Sequence, residues 1–196
     1  WKRYLDLAPE KRCFYETILE GLGCHFHVDA EYNKTNNPRA DELWLDSTFK
    51  DTCFRLMLEL EYIQSRDDLS ILTLVSSNEK KVSRLYLFKM REKYFLNNYH
   101  CGAFARRLRN RLVEDYGTSI KDNPFFFWSE KCKSLEYVDG VSVKDCYMDL
   151  GIYTKRRQFR LYLSTKASGP YRPLLPEHLH AQTQNYTRVI DVEPSK

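Results

Sequence analysis

Cys24-His25-Phe26-His27-Val28-Asp29-Ala30-Glu31-Tyr32-Asn33-Lys34 alternates between apolar and polar residues in its central part. Side chains at i and i+2 of a strand point the same way. Phe26, Val28, Ala30 and Tyr32 are therefore expected to face a core, and His25, His27, Asp29 and Glu31 a cleft or solvent. Two carboxylates at this spacing repel each other unless a positive charge sits between them. A divalent ion supplies that charge, and a pair of ions suits phosphoryl transfer. D-x-E also occurs on ordinary exposed strands, so the spacing alone does not decide the matter. The two histidines offer a rival, an H-x-H plus carboxylate site for a redox-type metal, with plain exposed strand histidines as the simpler reading.

A second segment, Asp145 to Lys166, sets Asp149 at the end of an apolar stretch expected to be a strand. Gly151 follows, and then a run with no Asp or Glu from Leu150 to Pro176. That run holds Lys155, Arg156, Arg157, Arg160, Lys166 and Arg172, with Tyr153, Phe159, Tyr162 and Tyr171 interleaved. Cations among aromatics suit a phosphate backbone and stacked bases. A solvated basic edge strand is the alternative.

The chain has 196 residues, 42% hydrophobic and 30% charged, which fits one substantial core or two small ones. No apolar run approaches the ~20 residues of a spanning helix, so no membrane is expected as a partner. Net charge is only +4, so the position of the positive charge carries the signal. Cysteines 13, 24, 53, 101, 132 and 146 form no C-x-x-C pair. They read as reduced, small hydrophobes in an intracellular protein without a zinc knuckle. The chain opens on Trp1 with no targeting pattern and reads as a piece of something longer.

Residues 12–20 and 24–33 read as two strands joined in a hairpin by Gly21-Leu22-Gly23. Asn33 to Arg39 is a loop. Leu45, Phe49, Cys53, Leu56, Leu60 and Ile63 predict a helix over 41–64. Strands are expected over 69–76 and 82–90, around Ser-Ser-Asn-Glu-Lys-Lys. Phe104, Leu108, Leu112 and Tyr116 mark a second helix ended by Gly117. Its other side bears Arg106, Arg107, Arg109 and Arg111, a solvated face or a phosphate contact. A loop over 119–144 precedes the Asp149 segment and the basic strand. The order β-β-α-β-β-α-β-β gives an α+β fold, helices packed on a mostly antiparallel sheet. Residues 1–196 are expected to form a single core fragment, or two small α+β subdomains sharing one cleft. The tail from Pro173 offers only His178 and His180, read as surface residues.

These motifs resemble the PrimPol branch of the archaeo-eukaryotic primase superfamily. The resemblance runs from Tyr15 to about Lys166 and is densest at Asp29 to Lys34 with Asn37-Pro38, at Ser77 to Ser83, and from Asp149 through Tyr162. It implies a primase-like catalytic core in which Asp29, Glu31 and Asp149 hold two Mg²⁺ or Mn²⁺ ions. It implies that Lys81, Ser83, Arg157, Gln158, Arg160 and Lys166 grip the triphosphate of a dNTP substrate. DNA, as template-primer or single strand, would be the partner of a monomeric enzyme acting in the nucleus or the mitochondrion. Relatives carry residues upstream of the match to Trp1 and a zinc-binding priming module beyond the match to Lys196.

The family's middle motif, S-x-H, reads Ser83-Arg84-Leu85 here. A leucine neither donates a hydrogen bond nor carries charge. Losing a hydrogen bond to a charged group costs about 1.5–3 kcal/mol, roughly ten- to hundred-fold in binding. Priming, which holds two nucleotides without a primer duplex, should suffer more than extension. Arg160, Tyr162, Ser164 and Lys166 would share a face of the last strand. Arg160 and Lys166, about 20 Å apart in straight β-chain, meet one triphosphate only if the chain bends after Ser164.

The leading expectation is a template-directed DNA polymerase that extends primers and tolerates lesions, with priming in question. A catalytically weakened nucleic-acid-binding module of the same fold is the alternative. A metal-dependent nuclease is the third reading, and the triphosphate-gripping cations argue against it.

Overall fold

The computed structural model describes residues 2–117, 122–128, 145–168 and 171–179. The segments expected to include the rest of the 119–144 loop, and His180, lie outside the described residues.

The alternating segment forms β2 (Phe26–Asn33), which pairs antiparallel with β4 (Lys81–Met90). β4 pairs in turn with β3 (Leu69–Val75), and β3 with the short β8 (Leu175–Pro176), giving the sheet order β2-β4-β3-β8. One face of this sheet is apolar. Phe26, Val28 and Ala30 of β2 and Val82, Tyr86 and Phe88 of β4 are fully buried there. They pack against Leu45, Phe49, Cys53 and Met57 of α2 (Glu42–Glu59) and Cys101, Phe104 and Leu108 of α3 (Asn98–Tyr116). Both helices begin on a side-chain cap: Asp41 accepts from the amides of Leu43 and Trp44, and Asn97 from those of Tyr99 and His100. α1 (Lys2–Leu5) is a single turn at the N-terminus.

The predicted α+β class and antiparallel sheet hold. The helix expected over 41–64 stops at Glu59, because Glu61 turns left-handed (φ 57°). The amide of Tyr62 then bonds to the carbonyl of Met57 and that of Glu61 to Leu58, a Schellman closure without its usual glycine.

The predicted hairpin between the first two strands is wrong. β1 (Tyr15–Ile18) pairs antiparallel with β7 (Arg157–Arg160) in a separate two-stranded ribbon. The reason is that both edges of β2 are occupied. β4 takes one, and Tyr147–Asp149 lie along the other through a bridge between Ala30 and Met148. Asp149 is likewise not in a strand. The strand β6 (Asp145–Cys146), paired with β5 (Phe126–Phe127), has already ended, and Asp149 caps a short 3₁₀ turn, Leu150–Ile152.

Candidate active site

The polar face of the main sheet looks toward the β1–β7 ribbon, and the cleft lies between them. Asp29 and Glu31 project from β2 opposite Leu85 and Ser83 of β4. Asp149 reaches the same place by main-chain bonds. Its amide donates to the carbonyl of Asp29 (2.8 Å), and the amide of Glu31 donates to the carbonyl of Tyr147 (3.1 Å). The Asp149 carboxylate accepts from the amide of Gly151 (2.7 Å). A β-carbon at Gly151 would sit 3.0 Å from that carboxylate oxygen, so the close approach favours glycine. Tyr153 anchors the turn by donating its hydroxyl to the carbonyl of His27 (2.7 Å).

Burial, followed by the negative charges of Glu31 and Asp149, pushes the Asp29 carboxyl up to about 6, against the opposing pull of Lys81 and Lys166. Three carboxylates converge here, and two are tied to cations at the cleft wall. Lys81 lies 2.5 Å from Glu31, and Arg157 lies 3.8 Å from Asp149. All the donors are oxygens, the set that suits Mg²⁺ or Mn²⁺ rather than a soft ion. The raised Asp29 carboxyl reflects burial first and the charges of Glu31 and Asp149 second, and a bound cation would offset both. The residues present therefore fit the ions that the resemblance implies.

Two adjoining cavities complete the cleft. One, of about 210 Å³, is lined by Asp29, Glu31, Ser83, Leu85, Arg157, Gln158, Arg160 and Lys166. The other, of about 90 Å³, shares Ser83, Arg160 and Lys166 and adds Lys81. Every residue expected at the site thus lines a cavity, except Asp149, which the backbone places beside Asp29. The bend that unites Arg160 and Lys166 comes earlier than expected. β7 ends at Arg160, and the chain turns at Leu163 (φ 62°), before Ser164. Arg160 is fixed by donating to the Ser76 hydroxyl (2.8 Å) and to the carbonyl of Arg172 (3.0 Å).

Arg172, a member of the basic run, also lines the smaller cavity, as do Ser76, Thr165 and Ser168, which were not singled out in the sequence. Their neighbours Ser77 and Lys166 were the only local signal, since isolated Ser and Thr carry no spacing pattern. Leu85 lines the cleft, and Arg84 turns to the opposite, buried side, as alternation predicts. His27 departs from the simple reading of an exposed strand histidine. It is buried, with its ring against Phe159 and Tyr153. On α3, Arg111 pairs with Glu59 and Glu114, and Arg109 lies over the Phe126 ring. That helix covers the far face of the sheet, so its arginines do not border the cleft.

An α+β domain with three carboxylates beside a cationic wall is the class that fold and site define together. No family model matches the chain. It is similar to curated proteins named DNA-directed primase/polymerase protein. The one from Homo sapiens is 26% identical over 214 aligned residues, covering 85% of this chain and 38% of the relative. That from Mus musculus is 29% identical over 196, covering 85% and 36%. That from Danio rerio is 26% identical over 188, covering 85% and 34%. The PrimPol-type resemblance read in the motifs therefore extends over most of the chain, which spans little more than a third of those relatives' length. No helix among the described residues is long and apolar enough to cross a membrane.

Proposed function

We propose that this chain is the catalytic core of a template-directed DNA polymerase of primase-polymerase type, joining dNTPs to a primer end by two-metal nucleotidyl transfer. The observation that carries the reading is the gathering of Asp29, Glu31 and Asp149 from distant parts of the sequence into one cleft, beside Lys81, Arg157, Arg160 and Lys166. Asp29, Glu31 and Asp149 would hold Mg²⁺ or Mn²⁺. Bound there, such ions would lower the pKa of a primer 3′-hydroxyl and offset charge on the departing pyrophosphate.

The protein's own contribution is positioning and electrostatics. Arg160, oriented by Ser76, and Lys166 receive the triphosphate. Lys81 and Arg157 exchange their carboxylate partners for phosphate oxygens when the nucleotide arrives. Ser83 offers a hydroxyl at the junction of the two cavities, and Gln158 an amide. Leu85 leaves an apolar spot where relatives place an imidazole, which favours extension over priming. The same residue supports the second reading, a weakened module that binds nucleic acid without chemistry. Acting on a DNA template-primer, the chain would work as a monomer in the nucleus or the mitochondrion, with an open cleft suited to damaged templates.

A labelled primer–template incubated with Mn²⁺ and dNTPs tests this reading. Primer lengthening is the expected result. Binding without lengthening would establish the weakened module instead, and primer shortening a nuclease.

A further inference from the structure

Beside the cleft, at the entry to β2, three donors that the polymerase reading does not use come together. Cys24 Sγ, Cys101 Sγ and a ring nitrogen of His27 all lie within 4.8 Å of one another. The two sulfurs are 3.5 Å apart. Two thiolates on one tetrahedral ion, each about 2.3 Å from it, stand about 3.8 Å apart, whereas a disulfide needs about 2.05 Å. The observed spacing is already close to that of a shared ion.

The His27 ring keeps one nitrogen free to take an ion. Its Nδ1 lies 2.9 Å from the carbonyl of His25. A carbonyl only accepts, so Nδ1 carries the proton and Nε2 keeps its lone pair. That ring is 4% exposed, and Nε2 has no hydrogen-bond partner. A backbone carbonyl that fixes the tautomer is the usual support of a metal-bound histidine. The frame is rigid: Cys24 exchanges two main-chain bonds with Phe95, and Cys101 sits in the first turn of α3. Cys24 and His27 also line a cavity of about 380 Å³ between the sheet and the ribbon. That cavity gives an ion a route in and has room for a solvent molecule as fourth ligand.

We propose that Cys24, His27 and Cys101 form a binding site for Zn²⁺ or a similar borderline-soft divalent ion, separate from the oxygen-lined catalytic cleft. Binding deprotonates both thiols and releases two protons per ion. The two thiolates cancel the ion's charge, so a neutral centre results, which tolerates burial. Donor type keeps the two metal classes apart, sulfur and imidazole here, carboxylates in the cleft. The ion would clamp the start of the strand bearing Asp29 and Glu31 to α3.

Cobalt titration tests the proposal. The reduced chain, held in a non-chelating phosphine with excess Mg²⁺ to fill the cleft, is titrated with Co²⁺. One ion per chain is expected, with a thiolate-to-cobalt charge-transfer band and intense tetrahedral visible bands. Cys24→Ser and His27→Gln should each weaken binding by at least about 100-fold, while Asp29→Ala leaves the band unchanged. Zn²⁺ should raise the Tm of the parent and not that of Cys24→Ser. No charge-transfer band in the parent would overturn the site, as would a band of undiminished affinity in Cys24→Ser. So would loss of the two thiols to a disulfide in mild peroxide with no cobalt band in the reduced protein.

Discussion

The amide of Asp149 donates to the carbonyl of Asp29 at 2.8 Å, so two of the three cleft carboxylates are held together by main chain rather than by their side chains. That main-chain link survives removal of either carboxylate, although Asp149→Ala also gives up the bond its side chain accepts from the Gly151 amide.

Asp29 should make the stability of the metal-free protein depend on pH. Its carboxyl is pushed up to about 6, first by burial and then by Glu31 and Asp149. A carboxyl whose folded pKa exceeds its unfolded one contributes stability below the unfolded value, near 4. That contribution is lost as pH rises through about 6. Asp29→Asn should accordingly raise the Tm of the metal-free protein at neutral pH and leave it unchanged below about pH 4. In the parent, apparent Mn²⁺ affinity should fall about tenfold for each unit that pH drops below about 6. Calorimetry with and without Mn²⁺ reads both effects.

Buried Arg84 stands behind the cleft at the centre of an ion network that reaches the surface at Glu177. It pairs with Glu42 (2.9 Å), Asp46 (3.2 Å) and Glu177 (2.5 Å), while Asp46 also accepts from the Tyr86 hydroxyl (2.7 Å). Arg84→Ala leaves these acids facing each other with, among the described residues, Lys50 and Lys34 to offset them. The expected cost is about 3–5 kcal/mol, read from urea denaturation. A loss under about 1 kcal/mol would put the arginine in the class of an ordinary surface pair.

Leu85 lies opposite Asp29 in the strand register and lines the cleft. Leu85→His should place a donor beside the triphosphate and lower KM for dNTP several-fold, about 1 kcal/mol. Steady-state extension at varied dNTP checks it. Lost thermal stability with unchanged dNTP affinity would show that the imidazole does not reach the nucleotide.

Much of this was legible in the sequence because period-2 and period-3.6 patterns report directly on which face is buried. The alternation of 26–32 placed Asp29 and Glu31 in the cleft, and that of 81–86 sent Lys81, Ser83 and Leu85 one way and Arg84 the other. The pairing of β1 was not legible, because it depends on β2 having both edges filled by segments far away in the chain. The helix end at Glu59 was hidden by a left-handed glutamate where a glycine would have signalled the stop. The bend at Leu163 was hidden in the same way. The joining of Cys24, His27 and Cys101 spans 77 residues between the cysteines and leaves no local spacing to read.

The central claim is that Asp29, Glu31 and Asp149 act together on metal-bound nucleotide. Single-turnover primer extension, comparing the parent with Asp29→Ala and Asp149→Ala in Mg²⁺ and in Mn²⁺, tests it most directly. Each variant should keep the parent's circular dichroism and primer–template affinity while its extension rate falls by at least about 10³-fold, the loss of several kcal/mol of charge stabilisation. Extension at near-parent rate by either folded variant at ordinary metal concentration would contradict the account.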